Sequence, residues 1–169
     1  MNNKPMSTMK QNPVQKMQSL WTRLQPWPGG AWLFSRIMGR INRYSGSIGA
    51  TVVELRPGYA QIALQDKKKI RNHLNSIHAL ALANLGEYTS ALAMLSGLPQ
   101  NIRGIPINLS IEFIKKARGK LMAESSCQIP HVLDEMDFTV LASIKDQDHI
   151  EVARVTVTWR LGPMPQVAN

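Results

Sequence analysis

Apolar and polar residues alternate with period two over much of the second half of the chain, which predicts half-buried strands. Ile107, Leu109, Ile111 and Phe113 share one face, opposite Asn108, Ser110 and Glu112. Ala117-Arg118-Gly119-Lys120 turns the chain into a second run, Leu121 to Ile129. Phe138, Val140, Ala142 and Ile144 alternate with Thr139, Leu141 and Ser143, and Ala153, Val155, Val157 and Trp159 with Arg154, Thr156 and Thr158. Upstream, Ser47 to Leu55 and Tyr59 to Leu64 flank the turn chemistry of Arg56-Pro57-Gly58 and read as a strand pair. Between the two groups lies one long helical stretch, Ile77 to Ser96, opened by Asn75 and Ser76 as capping residues and closed by Gly97-Leu98-Pro99. Its apolar residues, from Ile77 and Leu80 through Leu85 to Leu95, surround the axis almost completely, so the helix is buried. The order predicts an α+β domain in which an antiparallel sheet, with four strands at meander spacing at its end, wraps a central helix.

The N-terminal third adds a different pattern. Gly30 to Tyr44 forms an amphipathic helix, with Trp32, Leu33, Ile37 and Ile41 toward the body or a bilayer and Arg36, Arg40 and Arg43 over the remainder. Residues 1–19 lack periodicity, are rich in Gln, Asn and Lys, and read as a flexible basic tail, so that a single domain spans 20–169 with its core in 45–162. The 169 residues, 44% of them hydrophobic, suit one full-sized core. Neither a secretory signal nor a spanning apolar run is read, and the one cysteine, Cys127, suits a reducing compartment; the expectation is a soluble, cytoplasmic protein.

Charge is distributed unevenly. Of the net +9, residues 1–44 carry seven basic side chains and no acid, leaving the rest near neutrality. The expected reading is a helix packed on its own domain with solvated arginines. Peripheral contact of residues 20–44 with a membrane is kept as an alternative, and nucleic acid is not expected as a partner.

Metal chemistry finds no support in the histidine spacing: His73, His78, His131 and His149 never stand in an H-x-x-x-H arrangement, and glycine-rich phosphate loops and G-x-S-x-G are absent. What remains is Asn72-His73-Leu74-Asn75-Ser76-Ile77-His78-Ala79 followed, inside the buried helix, by Glu87. A carboxylate in an apolar helix is costly to bury and its pKa is expected to rise. One reading has Glu87 satisfied by a backbone group, Tyr88 or Asn84. The other uses the first-turn amides of His78 and Ala79 as donors for an oxyanion, with Glu87 as base or nucleophile. Ala79 and Glu87 are eight residues apart, which places them ~12 Å apart along one helix. They meet at one substrate carbon only if two copies of the helix lie antiparallel about a two-fold axis.

These residues in this order resemble the hot-dog fold, specifically the phenylacetate-pathway-type acyl-CoA thioesterases and their uncharacterised relatives, over roughly residues 45–162. The family's signature is an Asn or Gln, then His-Gly-Gly six positions on, then Asp or Glu nine positions after that His; here the corresponding residues are Asn72, His78 and Glu87. The resemblance implies that the Ala79 amide polarises a thioester carbonyl, that Glu87 of the partner subunit is nucleophile or base, and that Asn72 helps place substrate or water. Two departures stand out: His-Gly-Gly has become His78-Ala79-Leu80, and a polar residue at the start of the following strand has become Pro106. The hydroxyl that some members carry one turn after the carboxylate is replaced by Ala91, with Ser90 as the nearest substitute.

The function expected from all this is hydrolysis of an acyl-CoA or acyl-carrier thioester at a homodimer or tetramer interface, without cofactor or metal. Lys68, Lys69 or Arg71 would meet the nucleotide phosphates. The alternative is a non-catalytic hot-dog module that binds acyl-CoA or lipid.

Overall fold

The computed structural model describes residues 13–164. In chain order it contains α1 (Pro13–Leu24), α2 (Gly30–Ile41), α3 (Arg43–Gly46), β1 (Thr51–Arg56), β2 (Tyr59–Leu64), α4 (Ala79–Gly97), β3 (Ile102–Phe113), β4 (Leu121–Ser126), β5 (Met136–Lys145) and β6 (Glu151–Pro163). The six strands form one antiparallel sheet in the order β1-β2-β4-β5-β6-β3, and α4 packs across its concave face. The fold is therefore the expected α+β wrap of a sheet around a long helix. The last four strands are not a simple meander, however. β4, β5 and β6 follow one another, but α4 first carries the chain to the far edge, where β3 pairs only with β6.

Most of α4 is enclosed because nearly every side chain after its first turn is apolar or small. Leu85, Ala93 and Met94 are fully buried, and the polar Thr89, Ser90 and Ser96 bond to carbonyls within the helix. Close approach to the sheet depends on Gly86. A Cβ placed there would lie 2.3 Å from Cγ2 of Val155 on β6. Gly86→Ala should consequently destabilise the protein by about 2 kcal/mol, against the sign of helix propensity, because overpacking outweighs the entropic gain. Urea denaturation midpoints check this.

The helix begins two residues later than the pattern predicts. His78, not Asn75 or Ser76, is its N-cap: the imidazole Nδ1 accepts the Leu80 amide at 3.1 Å. Asn75 instead takes a left-handed conformation, with φ 56°, in the loop before it.

The expected tail is partly overturned. Pro13 to Leu24 is helical, with Val14, Met17 and Trp21 buried, while residues 1–12 lie outside the described part. The stripe recurs at helical spacing, and the interspersed glutamines have work to do. Gln18 donates to the carbonyls of Leu95 and Ser96, at 3.2 and 2.9 Å, which satisfies acceptors at the end of α4.

α2 forms where expected but is rotated. Its buried side chains are Phe34 and Ser35, whereas Trp32, Leu33 and Ile41 are exposed. Phe34 meets Trp21 edge-on, with ring centroids 5.0 Å apart. Ser35 accepts the Val52 amide of β1 at 2.8 Å and donates to the Ala31 carbonyl, so a polar residue ties the helix to the sheet edge. Arg36 lies over the Trp32 ring at 5.5 Å. Among the described residues no helix is long and apolar enough to cross a membrane.

At the opposite edge, β3 carries a bulge between Pro106 and Asn108, which displaces Ile107 from the expected alternation. Leu109, Ile111 and Phe113 then face the same side as Val157, Val155 and Ala153 of β6. α4 covers this side at β6, where Val155 and Val157 are buried, but scarcely at β3: Leu109 and Phe113 are 40% and 54% exposed, and among the described residues the outer backbone edge of β3 has no partner strand.

Candidate functional site

Glu87 projects from the middle of α4 into a cavity of about 480 Å³ bounded by Leu80, Ala83 and Asn84 of the same helix, by Tyr44 and Ser45, and by Pro106 and Leu109 of β3. Its carboxylate accepts no hydrogen bond among the described residues, so the reading in which Tyr88, Asn84 or a backbone group satisfies it does not hold. Burial alone pushes its pKa up. Asn84 has a different role: its Nδ2 donates to the Tyr44 carbonyl at 3.1 Å, while its buried Oδ1 has no partner. The cavity thus holds a desolvated carboxylate, and a buried acceptor without a partner among the described residues lies one helical turn away on Asn84.

The loop before α4 is ordered by Asn72. Its Oδ1 accepts from the Leu74 amide at 3.0 Å, the Ser76 amide at 3.2 Å and the Ser76 hydroxyl at 3.1 Å. The Ser76 carbonyl in return accepts the Asn72 amide. This closed loop presents the helix start, and there the expected pair of donors is reduced to one. The His78 amide is spent on the Ile70 carbonyl at 2.8 Å. The Leu80 amide is taken by the His78 imidazole, whereas the exposed Ala79 amide has no partner among the described residues. His78 is therefore a capping residue, and Ala79 supplies the single open N–H at the positive end of the helix dipole.

Several expected residues lie elsewhere. Ser90 is fully buried and donates to the Glu87 carbonyl at 2.8 Å, which removes it from the cavity; intrahelical back-bonding is the physical reason. Arg71 pairs with Asp66 at 2.7 Å and donates to Asn75, and its guanidinium holds the Asp66 carboxyl below the usual range. Lys69 donates to the Ser47 carbonyl at 2.8 Å, while Lys68 is exposed. Pro106, marked in the sequence only as a departure, forms part of the wall around Glu87. Tyr44 and Ser45 carried no signal in the sequence, because their place depends on how α2 and α3 turn onto α4, and Asn84 was expected only as a partner for Glu87. Among the described residues no three His, Cys, Asp or Glu side chains stand together as a metal site.

A six-stranded antiparallel sheet wrapped on a long helix, with a half-buried acid in that helix and an open amide at its start, defines a hot-dog fold protein. Residues 30–161 match the domain of unknown function DUF4442, and the chain belongs to that family. A crystal structure determined as a structural-genomics target shares 25% identity and a TM-score of 0.75 over 89% of this chain and 99% of that one. A mutant of a thioesterase from Staphylococcus aureus superimposes with TM-score 0.63 at 15% identity, covering 72% of this chain and 99% of its own. A thioesterase family protein from Silicibacter pomeroyi gives TM-score 0.64 at 14% identity, with 77% and 96% covered. No curated protein matches the sequence significantly.

Proposed function

We propose that the protein hydrolyses the thioester of an acyl-CoA or acyl-carrier substrate at a site shared by two copies of the chain. The observation that carries this reading is the carboxylate of Glu87, desolvated and unpaired on the wall of an apolar cavity. A fold does not retain such a group cheaply, and a general base is what its raised pKa suits. The fold shared with thioesterases agrees with this.

Within one chain Glu87 stands two helical turns from Ala79, and the cavity that holds Glu87 does not include Ala79. A second copy resolves the separation. The unpaired edge of β3 and its uncovered apolar side are the surfaces on which a two-fold mate extends the sheet and sets the two α4 helices antiparallel. Glu87 of one chain then takes a proton from water, and the resulting hydroxide attacks a carbonyl whose oxygen is held at Ala79 of the other. Collapse of the tetrahedral intermediate breaks the C–S bond, and the departing thiolate recovers the proton from Glu87. The products are a carboxylic acid and a free thiol. Asn72 acts as a positioning residue, through the loop that aims the Ala79 amide.

Release of free thiol across short, medium, long and aromatic acyl-CoAs tests the reading. Turnover of any one class supports it and names the acyl group. Leu80 and Pro106, apolar where close substrate approach is needed, favour a second reading, a module that binds acyl-CoA without cleaving it. Binding with no thiol released from any thioester of the panel would establish that reading instead.

A further inference from the structure

A second cavity, of about 470 Å³, lies between α2, α3, the start of β1 and the segment that follows β2. Arg36 and Arg40 line it from successive turns of α2, Lys67 from beyond β2, and Tyr88 from α4; no carboxylate lines it. None of these three cations forms an ion pair among the described residues. The Lys67 ammonium lies beside Gly49, 3.2 Å from where a Cβ on that glycine would stand, and Lys67 and Gly49 both line the cavity. Tyr88 is 7% exposed, and its hydroxyl has no hydrogen-bond partner among the described residues. Burial, with the nearby Glu87 charge adding to it, raises its pKa, so the phenol remains a proton donor at physiological pH.

A tyrosine hydroxyl without a protein partner among the described residues, beside three cations without a counter-charge, is an arrangement that a ligand completes. Three cations without a counter-charge favour an oxyanion carrying more than one negative charge over a single carboxylate. The volume falls in the range of ~300–1,000 Å³ typical of small-molecule sites, far more than a bare phosphate fills. We propose that this cavity binds an organic phosphate, its phosphoryl oxygens held by Arg36, Arg40 and Lys67 and by the hydroxyl of Tyr88. The cavity adjoins the one around Glu87: Ser45 lines both, and Glu87 and Tyr88 are consecutive on α4. The assignment rests on this cavity alone and does not require thioester cleavage next door. Two sources share the chemistry, the nucleotide end of a coenzyme and the headgroup phosphate of a lipid.

Calorimetric titration of the full chain with coenzyme A, ADP and glycerol 3-phosphate tests the proposal, with Arg40→Gln/Lys67→Gln and Tyr88→Phe as variants. Arg40 and Lys67 are exposed and Tyr88→Phe keeps the ring, so matching melting temperatures are expected for all three proteins. The double variant should lose roughly 100-fold in affinity for the bound phosphate and Tyr88→Phe roughly fivefold. Saturation by coenzyme A and ADP identifies the nucleotide source; saturation by glycerol 3-phosphate alone identifies the headgroup. Failure of all three to bind, or binding that the double variant leaves unchanged, overturns the site. Glu87→Gln separates the two assignments, since it should remove turnover and leave phosphate affinity as it is.

Discussion

Glu87→Gln should lower the maximal rate of thiol release by about 10³-fold, the middle of the range for losing a general base. The amide matches the carboxylate in shape, so the loss reports protonation chemistry rather than packing. Activity of the native protein should rise with pH along a limb set by Glu87, displaced above the ordinary glutamate range because burial favours the neutral acid. The same displacement has a consequence for stability. A carboxyl whose folded pKa is raised contributes stability that is complete below its unfolded pKa and is lost as pH rises through the folded value. Wild type should accordingly lose stability on passing from mildly acidic to neutral pH, relative to Glu87→Gln. At neutral pH the variant should melt higher, and the difference should vanish in acid. Equal melting curves at both pH values, or retained turnover, would remove Glu87 from its assigned role.

Ala79→Pro should be nearly as damaging, by about 10²–10³-fold, the cost of one oxyanion donor. Proline removes only the N–H, and the first helical position tolerates it. His78, with φ −66° and ψ 142°, already has the extended backbone that a following proline demands. The fold should therefore survive. In the proposed site the donor and the base come from different chains, so neither variant should be active alone, yet dimers mixed from Ala79→Pro and Glu87→Gln should contain one complete site. Recovery of activity on co-refolding the two, and none on simply adding them as stable separate dimers, is the expected result. No recovery after verified mixing would place both groups in one chain.

Much of the fold was legible because period two and all-round apolarity are strong signals: the strands and α4 lie close to their expected bounds. The lapses share a cause, namely side chains whose role is set by a partner distant in sequence. Gln18 reads as tail until the end of α4 is there to receive it. Ser35 carries no signal in the sequence until Val52 offers an amide, and with Ser35 inward Trp32 turns outward. Ile107 fits the alternation of β3 until register with β6 forces it into a bulge. At the site, the carboxylate and the amide were visible as chemistry in an unexpected place. The basic cavity was not, since Arg36, Arg40, Lys67 and Tyr88 are scattered over the sequence and converge only when α2 docks.

The two ends of α4 differ in how easily they open. From Ala81 onward α4 is sheathed by the sheet, so its amides should exchange with solvent hydrogen only when the whole domain unfolds. Its first turn is exposed and is fastened by the imidazole and carbonyl of His78 and by the Ile70 carbonyl rather than by packing, which permits brief local fraying. The acid thus sits on the most static part of the protein and the donor on one of its looser parts. In the proposed site, fluctuation of the turn at His78–Leu80, rather than any movement of Glu87, should set how often the two halves come into register.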